Sequence, residues 1–150
     1  KVLLTILGGG MSSRFFQNLR ERHGLCYSVY SYSELLKHSG FVATYAATEK
    51  SNTSKVFKYI NREYERLVRT LVDTTTLQKT KTHLIGSMIL GLESTSNRMN
   101  RLARHEIYCG QQYDIHDTIN TIMSIDSEKL RSLAREVFKK DTLRTVVVTE

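Results

Sequence analysis

An arginine and a tyrosine, Arg20 and Tyr27, stand seven residues apart on either side of Gly24. A guanidinium and a phenol are both hydrogen-bond donors, and together they suit a carbonyl oxygen that is gaining negative charge. For the two to meet, a helix must stop after Arg20 and the chain must turn into a strand near Tyr27. Glycine at 24 suits that turn, because it takes the left-handed conformation that ends helices. The residue types leave a second reading open: Arg20 as surface charge in the run Arg20-Glu21-Arg22, and Tyr27 as an ordinary core ring.

Upstream, Gly8-Gly9-Gly10-Met11-Ser12-Ser13 precedes a helical pattern. Free amides at a helix start, beside flexible glycines, can cradle an anion. The wording matches neither phosphate-binding loop. No Gly-Lys-Ser/Thr follows, Ser13 stands where a third glycine would be needed, and the segment before it reads as helix where a dinucleotide site needs a strand. A tight corner between two helices is the other reading. The five histidines, His23, His38, His83, His105 and His116, form no HxxEH or HxxxH pair, so no zinc site is expected from this chain alone. No Ser/His/Asp set is assignable from residue order.

The elements that must position these residues follow from periodicity. Val2, Leu3, Ile6 and Leu7 have helical spacing, ended by the three glycines. A helix is predicted at 13–23 with Phe15, Phe16 and Leu19 as its apolar stripe, joined by Met11. Residues 25–32 alternate as a strand with Tyr27 and Val29 on one face and Tyr30 and Tyr32 on the other. Residues 40–48 are a second strand, antiparallel to the first across a turn at 34–39. Helices are then expected at 51–71, at 75–92 capped by Thr74, at 97–109, at 117–123, and after Asp126. Their aliphatic and methionine stripes read as core. Thr145 to Thr149 reads as a final strand beside the earlier pair. The fold class is α+β, an antiparallel sheet with helices packed on one face, in a single domain over 1–150.

Hydrophobic content of 40% and charged content of 25% are those of a globular protein. The net charge of +7 admits an anionic partner, but Lys and Arg are dispersed among Glu along helices and form no block. Nucleic acid is therefore not the expected partner, and no apolar run is long enough for a bilayer. Cys26 and Cys109, with no CxxC pair, read as buried thiols in a reducing compartment. Because the chain opens inside an apolar run, the expectation is a fragment of a larger protein.

Leu7-Gly8-Gly9-Gly10-Met11-Ser12-Ser13-Arg14-Phe15-Phe16, followed by Leu19-Arg20-Glu21-Arg22-His23-Gly24-Leu25-Cys26-Tyr27-Ser28-Val29-Tyr30-Ser31, closely resembles the pitrilysin/insulinase family of zinc peptidases. It is most similar to the mitochondrial processing peptidase branch and its bacterial relatives. Leu102-Ala103-Arg104-His105-Glu106-Ile107-Tyr108 before Gly110, the Ile125-Asp126-Ser127-Glu128 turn and the final Val-rich run also fit. The resemblance implies the C-terminal, HxxEH-lacking half of a peptidase whose N-terminal half binds the zinc cofactor. It implies that Arg20 and Tyr27 are catalytic, holding the substrate carbonyl and the tetrahedral intermediate, and that Gly8, Gly9 and Gly10 handle substrate. The implied activity is zinc-dependent hydrolysis of peptides or presequence-like segments. The implied partners are that substrate, the N-terminal half and a second subunit in a homo- or heterodimer. The bacterial cytoplasm is the implied location, with the mitochondrial matrix as alternative. A non-catalytic structural subunit of the same family, or a basic anion- or nucleic-acid-binding module, would be the alternative functions.

Overall fold

A computed structural model of the chain describes residues 1–149, Lys140 by its backbone alone. Helix α1, Val2–Gly8, is apolar nearly all round, and Val2, Leu3, Leu4, Ile6 and Leu7 are all buried. A helix with no polar face belongs inside a fold. It packs against strand β1 on one side and against α3 and α6 on others. It comes close to the strand at Gly8, where an added Cβ would lie 2.5 Å from the backbone nitrogen of Ser31.

The segment after α1 is a π-helix, Phe16–Arg22, where an ordinary helix was expected. Contacts recur every four residues along it and the turn before it. Arg14 and Asn18 both turn to Glu63, Phe15 and Leu19 both enter the core, and Arg22 donates to the Asn18 side chain. Each pair is four residues apart, so its members lie close together on one side of the helix. Met11, predicted on the apolar stripe, lies outside this element and is 75% exposed.

Strands β1, Ser28–Leu35, and β2, Gly40–Ala47, pair antiparallel with Tyr30 opposite Tyr45 and Leu35 opposite Gly40. The predicted turn at 34–39 is shorter, because Glu34 and Leu35 continue the ladder opposite Phe41 and Gly40. Val29 is buried on the α1 side, while Tyr30, Tyr32 and Tyr45 lie half-exposed on the other. The rings of Tyr30 and Tyr45 stack 5.1 Å apart. Helices thus cover one face of the sheet, which makes the class α+β as expected.

Five helices follow: α2 Thr53–Arg69, α3 Thr74–Gly91, α4 Thr95–Cys109, α5 Ile115–Met123 and α6 Ser127–Val137. The cap of α3 is Asp73, whose carboxylate accepts from the Thr76 N–H at 2.8 Å. Thr74, predicted as the cap, is already the first helical residue. Asp73 has the extended backbone and the stronger acceptor that a cap needs. Asp126 caps α6 as expected, accepting from the Lys129 N–H at 2.7 Å.

Three other expectations are corrected. No residue of α4 is buried, and Met99, Leu102 and Ile107 are 62%, 56% and 70% exposed, so this stripe is not core among the described residues. Periodicity marks which face of a helix is apolar and leaves open what covers it. Cys109, on the same helix, is exposed; only Cys26 is buried, and burial pushes its thiol pKa up. Thr145 to Thr149 forms no strand, with Val146 and Val148 87% and 91% exposed. Valine favours strands locally, but a strand needs a partner edge, and the sheet of the described residues consists of β1 and β2.

Candidate functional site

The chain turns out of the π-helix at Gly24, whose φ of 57° is the left-handed conformation that costs glycine little. Its N–H donates to the Arg20 carbonyl at 3.1 Å, and the Leu25 N–H reaches back to the Leu19 carbonyl at 2.7 Å. These bonds reverse the chain tightly. The Tyr27 N–H then donates to the Ala47 carbonyl at 2.9 Å, fixing the start of β1 against the end of β2. The result places the two residues singled out by their chemistry side by side. The Arg20 guanidinium carbon lies 5.9 Å from the Tyr27 ring centroid.

Tyr27 is therefore not a core ring. It sits in the bend before β1, is 85% exposed, and does not share the buried face of Val29. Arg20 is exposed as well, and among the described residues its guanidinium has no ion pair and no hydrogen-bond partner. What it does have is a second ring: the Phe16 centroid lies 4.9 Å from the guanidinium carbon. Cations over aromatic faces gain about 0.5–1 kcal/mol at exposed sites. The Arg20 guanidinium and the Tyr27 ring are thus neighbours and both exposed, with no hydrogen-bond or ion-pair partner for either side chain among the described residues.

The platform beneath is polar and buried. Glu63 of α2 has a side chain only 9% exposed, in an ion pair of 3.5 Å with Arg14 and one of 3.8 Å with Arg66. The Asn18 amide donates to the same carboxylate at 3.4 Å. Burial, followed by the like charge of Arg66, lowers the Arg14 guanidinium pKa, and Glu63 works against both. At the far end, Tyr59 of α2 hydrogen-bonds the His23 ring nitrogen Nε2 at 3.1 Å. The π-helix and the residues flanking it are therefore held to α2 at Arg14, Asn18 and His23, and Arg20 sits between the last two.

The glycines lie elsewhere on the same unit. Gly8 is buried against β1, where the strand backbone leaves no room for a side chain, so packing alone requires glycine there. Gly9 and Gly10 are exposed. Two residues of this region carry more than their spelling announced. Phe16 belongs to the predicted apolar stripe, and its four-residue spacing to Arg20 is also the helical spacing for a ring–cation pair. Glu63 falls on the stripe of Val56, Ile60 and Leu67 and is buried with it. An acid on an apolar stripe signals a buried pair.

Zinc is the cofactor the resemblance implies. Among the described residues, no group of three or more His, Cys, Asp and Glu could hold a metal ion. The described side chains therefore do not fit the ion. Among the described residues, no helix is long and apolar enough to cross a membrane.

The model of the peptidase M16 inactive domain matches residues 1–84. An uncharacterized zinc protease of Bacillus subtilis is 35% identical over 140 residues, covering 93% of this chain and 34% of that one. An uncharacterized zinc protease of Streptomyces coelicolor is 36% identical over 146 residues, covering 97% of this chain and 32% of that one. The chain thus spans about a third of the length of these relatives. In fold, it is similar to a protease from Helicobacter pylori, with a TM-score of 0.81 at 22% identity over 92% of this chain and 33% of that one. A peptidase M16 inactive domain from Pseudomonas fluorescens gives a TM-score of 0.79 at 19% identity over 92% of this chain and 33% of that one. With the match running through α1, the π-helix, the sheet and α2, the chain belongs to the peptidase M16 family, and residues 1–84 match its inactive domain.

Proposed function

We propose that this chain is the C-terminal-half domain of a zinc-dependent endopeptidase, and that it supplies Arg20 and Tyr27 to an active site whose metal is held by the N-terminal half. The observation that carries this reading is the exposed pair itself. A guanidinium and a phenol stand 5.9 Å apart, guanidinium carbon to ring centroid, with their donors committed to nothing else among the described residues. Two such donors fit the oxygen of a peptide carbonyl and gain strength as that oxygen becomes anionic. Zinc would supply Lewis-acid chemistry at the other half. What this chain contributes is orientation of the carbonyl and hydrogen bonds to its oxygen.

Gly9 and Gly10, exposed at the front of the same unit, are proposed to let substrate backbone approach closely, with Gly8 seating the corner against β1. The substrate class is a peptide or presequence-like segment, the assembly a homo- or heterodimer of full-length subunits, and the location the bacterial cytoplasm. Of these, the relatives named as zinc proteases support a peptide substrate.

The test is Tyr27→Phe in the full-length protein, assayed on an internally quenched peptide of basic, amphipathic sequence. Loss of one donor that acts in the transition state is expected to lower kcat by about tenfold or more with little change in KM. An unchanged kcat overturns the reading. Stoichiometric, tight zinc on the 150-residue chain would overturn the assignment of the metal to the other half. A full-length protein with no peptidase activity and no HxxEH upstream would be a structural subunit.

A further inference from the structure

We infer that Phe16 is a positioning residue, one that holds the Arg20 guanidinium beside Tyr27 through an aromatic bracket. This rests on the proposed role of the Arg20–Tyr27 pair. An exposed arginine has several rotatable bonds and ordinarily samples many rotamers. Here the side chain has no hydrogen bond or ion pair among the described residues to fix it. Its recorded contacts are two rings, Phe16 at 4.9 Å and Tyr27 at 5.9 Å from the guanidinium carbon.

The nearer ring is the better anchored one. Phe16 is half-buried at the start of the π-helix, beside Phe15, which is fully buried. Tyr27 is 85% exposed and offers no comparable anchor. The π winding contributes as well, since each residue rises less along the axis and residue i+4 comes down towards residue i. A ring face satisfies the cation without using any of its N–H groups, which all point from the rim of the guanidinium plane. An acidic partner, such as the Glu63 that pairs with Arg66 three residues along α2, would instead occupy those donors. Phe16 thus orients Arg20 and leaves it free to bind an oxygen.

The experiment uses Phe16→Leu, which keeps an apolar side chain of similar bulk, and Phe16→Trp, which keeps a ring. The full chain is labelled with 13C,15N-arginine, and Arg20 is assigned with Arg20→Lys. In the wild type, the Arg20 side-chain protons should be displaced by the ring currents of the bracket. In Phe16→Leu they should move to the values of a free arginine, and Phe16→Trp should restore a displacement. In the full-length protein, on the same quenched peptide, Phe16→Leu should lower kcat about two- to fivefold with KM nearly constant. Phe16→Trp should recover it.

Arg20 resonances that superimpose between wild type and Phe16→Leu overturn the inference. So does a shift of those resonances with kcat unchanged, provided Arg20→Ala lowers kcat. If Arg20→Ala itself leaves kcat unchanged, the catalytic reading of the pair has failed. The Arg20 resonances then decide the positioning claim alone, a shift supporting it and no shift overturning it.

Discussion

Replacing Gly8 by alanine should destabilise the protein, while the same substitution at Gly86 should stabilise it. At Gly8, the new methyl would sit 2.5 Å from the Ser31 backbone nitrogen, 2.8 Å from the Ser31 hydroxyl and 3.0 Å from the Tyr30 carbonyl carbon. The first and last of these are main-chain atoms of β1, held in register with β2 through Tyr30–Tyr45 and Ser31–Thr44. The Ser31 hydroxyl is hydrogen-bonded to Thr44 at 2.8 Å, so it cannot swing away without losing that bond. Relief has to come from α1 moving off the strand, and α1 carries Leu4, Ile6 and Leu7 into the core. Forcing a methyl into such a site costs about 1–3 kcal/mol.

Alanine regains up to about 1 kcal/mol of helix preference, less at a terminus than in an interior. The expected net loss is about 1–2 kcal/mol, or a fall in Tm of roughly 3–8 °C for a chain of this size. Gly86, inside α3, has nothing within 4 Å of its added Cβ, so only the helix preference applies there. Its variant should melt higher by about 2–4 °C. Thermal unfolding followed by circular dichroism reads both. Equal Tm shifts of the same sign would refute the close-approach argument for Gly8.

Two further outcomes follow from the buried pair and from the cap of α3. Glu63→Gln leaves Arg14 buried beside a neutral amide, and should lower stability by about 2–4 kcal/mol; a urea midpoint within experimental error of wild type would contradict it. The Thr76 backbone N–H, donating to its carboxylate, holds Asp73 below its ordinary pKa of 3.8. A depressed folded pKa gives stability that is fully present above the unfolded value and lost as pH falls through the folded one. Asp73→Asn should therefore flatten the stability profile below about pH 5, and an unchanged acid limb would refute this.

The parts of the site that could be read from spelling were those fixed by local chemistry. Gly24 announces a left-handed turn wherever it occurs after a helical pattern, and that turn is enough to bring Arg20 towards Tyr27. Asp126 announces a cap for the same reason. What spelling did not reveal depends on partners far along the chain. The ties of Arg14 and Asn18 to Glu63 reach more than forty residues along the chain, and no spacing within Phe16–Arg22 records them. Glu34 and Leu35 are strand because Phe41 and Gly40 lie opposite them. The stripe of α4 and the valines at the end of the chain show the reverse case: local preference was present, and among the described residues nothing meets it.

The central claim is that Arg20 and Tyr27 act together on one oxygen, and a double-mutant cycle in the full-length protein tests it most directly. kcat/KM would be measured on the quenched basic peptide for wild type, Arg20→Ala, Tyr27→Phe and the double variant. Donors sharing one oxygen are coupled, so the double variant should fall little below the worse single one. Losses that simply multiply, or single variants as active as wild type, would contradict the account.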